Sequence, residues 1–339
     1  MHRHDDARDD PQAGGVARRR QPTAEQARTM SRRPGSHRSP DDVIPDVVLA
    51  SRLAPSALRS RIRSGEVRRI SPGAYATSDL ADPRQLALAR MRAHAARTTR
   101  AFVFSHASAA ILHGLALWRV PSETHVRSSS SSGRGSDSSV VRHRPYPDAD
   151  EMAVARRLPV TSLEVTAWDC LTTMRCLDAL VVADAALRAG ASLDELVERA
   201  RRRQGRRGST RARTILEHAD AGAESPRETY LRLVLLRAGL PAPQTQVPAR
   251  TGRGTYWGDL GWPRWRLLVE YDGRDKYRAT DGTDLWREKL RRDALADAGW
   301  RTVHVTKEDR PSDIVRRVVT HIPVDARVAL TVRRELMGW

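Results

Sequence analysis

The stretch LLVEYDGRDKY, Leu267–Tyr277, runs three apolar residues straight into Glu270 and Asp272. A carboxylate at the end of a buried strand is costly unless it is paired or bound to a cation. Just upstream, GTYWGDLGWPRWR reads as a strand, Tyr256–Trp262, followed by a four-residue turn, Pro263–Arg266. Strand Leu267–Asp272 comes next. With a turn of that length Trp262 pairs with Leu267, and Asp259 falls directly opposite Glu270. Facing side chains in an antiparallel pair stand about 5 Å apart, so two like charges there repel. A divalent cation held by both removes the repulsion; Mg²⁺, with Mn²⁺ as a substitute, suits all-oxygen ligands. Asp272, two residues on and on the same face, adds a third oxygen, although Asp-Gly is equally a turn signal. An ion pair with Arg266 or Arg274 is the competing explanation of the carboxylates.

These residues need elements to hold them. Ser225-Pro226-Arg227-Glu228 is a capping box that opens a helix, and it accounts for Glu228 by local structure alone. That helix ends at Gly239, before Pro241. After the hairpin, a helix from about Asp284 to Asp297 stops at Gly299. The strand RTVHVT and the helix SDIVRRVVTHI complete the region. The order is helix, hairpin, helix, strand, helix, and the last strand is able to run parallel to the hairpin strand through a crossover.

A helix with an early Glu, an Asp on one strand and Glu-x-(acid or Lys) on the next resembles the PD-(D/E)XK nuclease superfamily. The wording DLGWP…LLVEYDG…KY…REKLRRDALADAGWRTVHVT is similar to bacterial endonuclease-like domains related to very-short-patch-repair enzymes. The resemblance covers about a hundred residues, Glu224 to Ile322. It implies a restriction-endonuclease-like α/β domain, a mixed central sheet flanked by helices, that hydrolyses phosphodiesters with Mg²⁺. Carried over, Asp259 and Glu270 are metal ligands and Glu228 an accessory carboxylate. The superfamily's lysine falls two residues after the acid, where this chain has Asp272. The cation must then be Lys289 on the following helix or Lys276 after the strand. The chemistry asks for it beside the attacking water or the developing charge.

The N-terminal part, Asp41–Ala76, reads as one or two short helices ending near Ser64-Gly65. Strands Val67–Ile70 and Ala74–Ala76 follow, joined at Ser71-Pro72-Gly73. It resembles the winged helix of abortive-infection type antitoxins, which implies DNA phosphate contacts by Arg59, Arg61, Arg63, Arg68 and Arg69. A winged helix used for protein contacts fits as well. The middle, 81–222, reads as mostly helical α+β, with strand-like RAFVFS and a serine-rich loop, Ser128–Ser139. His106 and His113, seven apart on one helical face, read as core or capping residues, and Asp169 and Asp184 as structural. RARRRQGRRGSTRAR, Arg199–Arg213, packs eight arginines into fifteen residues, either as a DNA-backbone patch or as a solvated linker.

Composition sets the frame for all of this. Net charge is +18 in 339 residues, the footprint of a polyanion-binding protein, with DNA the first candidate. Only three of 59 basic residues are lysine, which reveals a bias toward Arg at tolerant sites. The first forty residues are polar and read as a disordered basic tail without the apolar run of a signal peptide. No segment reaches transmembrane length, and Cys170 and Cys176 suit a reduced, cytoplasmic chain. The expected organisation is a tail at 1–40, a winged helix at 41–80, a middle region at 81–222, a nuclease-like domain at 223–322 and an extension at 323–339. The expected function is a Mg²⁺-dependent DNA endonuclease in repair or phage defence. The alternative is a non-enzymatic DNA-binding regulator of the antitoxin kind with an inactive nuclease fold. A cognate toxin or a second copy is left open as partner.

Overall fold

The computed structural model describes residues 44–129, 137–272, 282–328 and 330–337. The expected tail, Lys276, Arg274 and most of the serine-rich loop lie outside them. The described residues fall in one unit, Val43–Trp339, of mixed α/β class with three separate sheets.

The first sheet joins β1 (Val48–Leu49), β2 (Val67–Ser71) and β3 (Ala74–Thr77) in the order β1-β3-β2. A 3₁₀ turn, Ala50–Arg52, and helix α1 (Pro55–Arg63) lie between β1 and β2. The helix and hairpin stand where the sequence places them, whereas the two-residue β1 gives no readable pattern. Pro55 presets the first helical turn, and α1 buries none of its residues. The core of this part comes from Leu49, Ile70, Ala74 and Ala76 against Ala89 and Ala93 of α2 (Pro83–Arg97).

The middle region is less helical than its sequence suggests. It carries a five-stranded sheet of β4 (Phe102–Phe104), β5 (Thr124–Ser128), β6 (Val140–His143), β7 (Met152–Ala155) and β8 (Leu158–Thr161). The order is β6-β5-β4-β8-β7. All five strands are three to five residues long, too short for alternation to mark most of them. Beside the sheet stand α3 (His106–Leu112), α4 (Leu163–Thr173), α5 (Cys176–Arg188), α6 (Leu193–Arg202) and α7 (Ser209–His218). Cys170 and Cys176 are free thiols inside the helical core.

The C-terminal sheet has the order β12-β11-β10-β9, formed by β9 (Gln244–Thr251), β10 (Gly254–Trp262), β11 (Leu267–Tyr271) and β12 (Arg301–Val305). β9, β10 and β11 are antiparallel neighbours, and β12 runs parallel to β11 as the helical crossover requires. The strand β9 was not legible, since Pro248 lies within it; as an edge strand it can spare that N–H. Leu267 and Val269 face α8 (Pro226–Arg237) and α10 (Pro311–Val319), while Leu268 turns to Leu295 of α9 (Gly282–Asp297). Period-two alternation therefore feeds two cores from one strand. A short helix, α11 (Val324–Val328), and a 3₁₀ turn at Arg334–Leu336 close the described chain.

The helix α8 belongs to both halves. Leu233 and Leu236 sit in the core of the middle helices, whereas Leu231, Val234 and Leu235 sit against the C-terminal sheet. A helix apolar on both sides has to be buried on both sides. Arg232, also on α8, meets Asp184 of α5 at 2.5 Å, and both are almost fully buried. Asp184 also accepts from Thr229 Oγ1 and from the backbone N–H of Asp220, at 2.8 Å each. No helix among the described residues is long and apolar enough to cross a membrane.

Three histidines stack in the middle region. His143 of β6 lies 3.6 Å from His106 and 5.2 Å from His125 of β5, ring centroid to ring centroid. His125 Nδ1 and His143 Nε2 are 2.9 Å apart, and Asp169 beside them is bound by Arg127. Burial pushes His106 and His143 down to about 3 and lowers His125. His113 instead caps α3 and reaches Thr161 O at 2.8 Å.

Two predictions follow from these contacts. Because the histidines are neutral when folded, the unfolded chain binds more protons below pH 6.5, so stability falls as pH drops from 6.5 toward 3. The slope is up to about 1.4 kcal/mol per pH unit for each such histidine, and chemical denaturation of His143→Phe is expected to show a shallower dependence. Asp184→Ala strands Arg232 in the core and is expected to cost about 3–5 kcal/mol, read from the same unfolding curves.

Candidate functional site: a buried carboxylate cluster

The turn before β11 contains the expected four residues, and Trp262 pairs with Leu267, Gly261 with Leu268 and Leu260 with Val269. The hairpin register is therefore the one that sets Asp259 across from Glu270. The recorded ladder stops at Leu260, and one step further the Asp259 carboxylate accepts the N–H of Tyr271 at 2.9 Å. On its other side, β9 pairs Val247 with Gly258 and Thr245 with Leu260, skipping the step between Gln246 and Asp259. Gln246 is in the left-handed region, φ +48, inside a strand. Backbone strain of this sort gathers where the surroundings over-determine a conformation. Its amide lies 3.5 Å from Glu228.

Glu228 enters from α8. Ser225 caps the helix, Glu228 N–H donates to Ser225 Oγ, and Ser225 Oγ donates back to the carboxylate at 2.9 Å. The backbone N–H of Glu224 adds a further bond at 2.9 Å. Glu228, Asp259 and Glu270 are all buried. Burial, reinforced by the negative charge of Asp259, pushes Glu228 up to about 7. Helix and hairpin thus bring two of the expected carboxylates into electrostatic contact, and the capping box does not exhaust the role of Glu228.

Glu270 has a partner that the sequence reading missed. Arg291 of α9 grips both of its oxygens, Nη1 at 2.9 Å and Nη2 closer still. Its guanidinium also donates to Trp257 O at 3.3 Å. Burial works to lower the Arg291 pKa, but the hydrogen bonds and charge of Glu270 outweigh it and drive the pKa up. The expected neutraliser Arg266 is engaged elsewhere, donating to Ala298 O at 3.0 Å. Lys289 is exposed, with its ammonium 5.5 Å from the ring of Trp286. The reason is helix phase. Residues two apart on a helix point about 200° from each other. The buried stripe of α9 includes Ala294 and Leu295, so Arg291, three and four residues before them, faces inward. That spacing was the available signal.

Asp272 is diverted as well. Its carboxylate lies 2.9 Å from Nδ1 of His304, the residue paired with Glu270 across the β11–β12 ladder. That hydrogen bond raises the His304 pKa. Among the described residues no group of three His, Cys, Asp or Glu is spaced to hold a metal ion. The structure thus brings Glu228, Asp259 and Glu270 to one end of the sheet, turns Asp272 toward His304 and leaves Lys289 outside.

Of the arginines expected to contact DNA in the N-terminal part, Arg59, Arg63, Arg68 and Arg69 are exposed. Arg61 is committed to Glu66, with Nε 2.9 Å from the carboxylate. Arg68 also donates to Leu80 O.

No family model matches the chain. The chain is similar to two curated proteins of Mycobacterium tuberculosis, "Uncharacterized protein Rv2248" of strain H37Rv and "Uncharacterized protein MT2308" of strain CDC 1551. Each is 34% identical over 164 residues, a match that takes in 46% of this chain and spans 60% of the relative's length. Among solved structures, the Rv2827c protein from Mycobacterium tuberculosis aligns with a TM-score of 0.35 and 22% identity, over 51% of this chain and 72% of that one.

The grip of Arg291 on Glu270 carries its own prediction. Arg291→Ala leaves a buried carboxylate unpaired and is expected to cost about 3 kcal/mol. Adding Glu270→Gln to it is expected to recover a large part of that loss, so a double-mutant cycle by thermal or urea unfolding reads a strong coupling.

Proposed function

We propose that the chain is a divalent-metal-dependent DNA endonuclease whose C-terminal part is a restriction-endonuclease-like domain of the PD-(D/E)XK kind, working in the cytoplasm. The observation that carries this reading is the surplus of buried negative charge at Glu228 and Asp259. Arg291 offsets Glu270, while burial, reinforced by the charge of Asp259, pushes Glu228 up to about 7. A cation with oxygen ligands relieves that repulsion. Mg²⁺ commonly takes one or two carboxylates and completes its shell with waters and substrate phosphates, so this donor set fits it without a third protein ligand. The order α8, β9-β10-β11, α9, β12 supports the fold assignment, with Asp259 and Glu270 on neighbouring strands.

Glu228 and Asp259 would hold the ion, and Ser225 and the Tyr271 N–H would fix their orientation. When bound, Mg²⁺ supplies a nucleophilic water at neutral pH and charge for the phosphoryl oxygens. Arg291 takes the part for which Lys289 and Lys276 were the sequence candidates. A guanidinium stabilises charge developing on a phosphate but does not give up a proton, so its help is electrostatic only.

One observation favours a second reading, a non-enzymatic DNA-binding regulator of the antitoxin kind. Arg291 occupies both oxygens of Glu270, and this would suit a nuclease fold that has ceased to cleave. Purified protein incubated with plasmid DNA in Mg²⁺ or Mn²⁺ separates the two, alongside an Asp259→Ala/Glu270→Ala variant. Metal-dependent nicking that disappears in the variant is expected. DNA binding without cleavage in either protein would sink the nuclease and leave the regulator. As a readout independent of turnover, Mg²⁺ is expected to raise the thermal midpoint of the wild type and not of the variant.

A further inference from the structure

The arginine-rich segment 199–213 is not a solvated linker. It comprises the end of α6, a loop and the start of α7, and the loop is closed by backbone hydrogen bonds from Gln204 to Arg201, Arg206 to Arg203 and Ser209 to Arg206. Gly205 and Gly208 both take positive φ, +81 and +84. A Cβ on Gly208 would meet Thr172 O at 2.4 Å, so the loop lies directly against the end of α4. The arginines divide into two sets. Arg199 is anchored to Glu151 at 2.7 Å, and Arg211 donates to Met174 O at 3.1 Å. Arg201, Arg202, Arg206, Arg207 and Arg213 are exposed. The first two share Glu198 at 3.8 Å, whereas no ion pair is recorded for Arg206, Arg207 or Arg213 among the described residues.

We propose that this loop is a phosphate-contacting surface that takes the backbone of duplex DNA. A fixed loop presents its guanidinium groups without the backbone ordering that a mobile tail would cost. No acidic residue lies between Arg199 and Arg213 to compete for them. A cavity of about 390 Å³, lined by Thr172, Thr173, Arg207, Gly208 and Arg211, adjoins the loop and places two arginines at its wall. An anionic membrane is a poorer fit, because none of the exposed large apolar side chains belongs to the segment, and insertion would need them. Single-stranded RNA is a poorer fit too, because the segment holds no aromatic side chain for stacking. The contact is non-specific by nature, since arginines on phosphates position a protein without reading bases. It uses neither the N-terminal arginines nor the carboxylate cluster and stands whether or not the chain cleaves DNA.

The test uses the full chain and a short labelled DNA duplex, with the dissociation constant measured by fluorescence anisotropy across a salt series without divalent ions. Replacing Arg206, Arg207 and Arg213 together by Gln is expected to reduce the slope of log K against log salt by about 2 to 3, one contact for each residue removed. Arg206→Lys/Arg207→Lys/Arg213→Lys is expected to keep the slope, because charge alone matters there, and it controls for folding. An unchanged slope in the folded Gln variant, or a slope lost equally in the Lys variant, overturns the proposal. Tighter binding to a duplex RNA of the same length, lost in the Gln variant, overturns DNA as the partner. Asp259→Ala/Glu270→Ala is expected to leave the slope unaltered, so a failed nuclease and a failed binding surface give different results.

Discussion

The ion pair between Asp184 and Arg232 is the constraint on which the arrangement of the molecule depends. Two charges this deep are tolerable when the donors and acceptors around them are largely engaged, and here Thr229, the Asp220 N–H and the carbonyl of His218 take up most of them, with Arg232 Nε alone lacking a partner in this set. Geometry of that strictness fixes the rotation of α8 against α5. Once the rotation is fixed, Glu228 at the first turn of α8 has one place to go, beside Asp259 at the end of the sheet. The terminal segment braces the same helix from its other end, where Arg333 donates to the carbonyls of Leu236 and Leu240 at 2.9 Å each. The Leu236 carbonyl, in the last turn of α8, also accepts the N–H of Gly239 at 2.9 Å.

The carboxylate cluster is a balance of charges and not a simple acidic patch. Glu270 has its countercharge built in, Asp272 lies against His304, and Asp259 accepts the Tyr271 N–H within reach of the Arg291 charge. Glu228 absorbs what is left over, through a pKa near neutrality. Such a distribution leaves the pair Glu228–Asp259 sensitive to any cation that approaches, while the Glu270–Arg291 pair is nearly self-sufficient. The proposed chemistry and the competing regulator differ only in whether an ion enters beside the first pair.

The C-terminal part was legible where short-range rules decide. A turn of known length fixes hairpin register, a capping box fixes a helix start, and glycine at position 299, with φ +76, ends α9. What escaped was set by longer-range geometry. Arg291 meets Glu270 because of the rotational phase of α9, which is fixed by the packing of Ala294 and Leu295 about one turn away. His304 meets Asp272 through a strand contributed from thirty-two residues later. The middle sheet escaped for another reason, since its strands are short and its pairing partly parallel, and neither property leaves a periodic trace. The two-sided burial of α8 was visible in its run of leucines, but a single sequence does not say which neighbours cover which side.

That shared helix has a consequence for the chain as a whole. A cut before Ser225, where sequence patterns suggest a domain border, would strip Leu233 and Leu236 of their cover and leave Arg232 without its countercharge. The middle helices and the C-terminal sheet share α8, which contributes apolar side chains to the cores of both. Exchange of the C-terminal part among proteins would then have to carry the surface of α5 along with it.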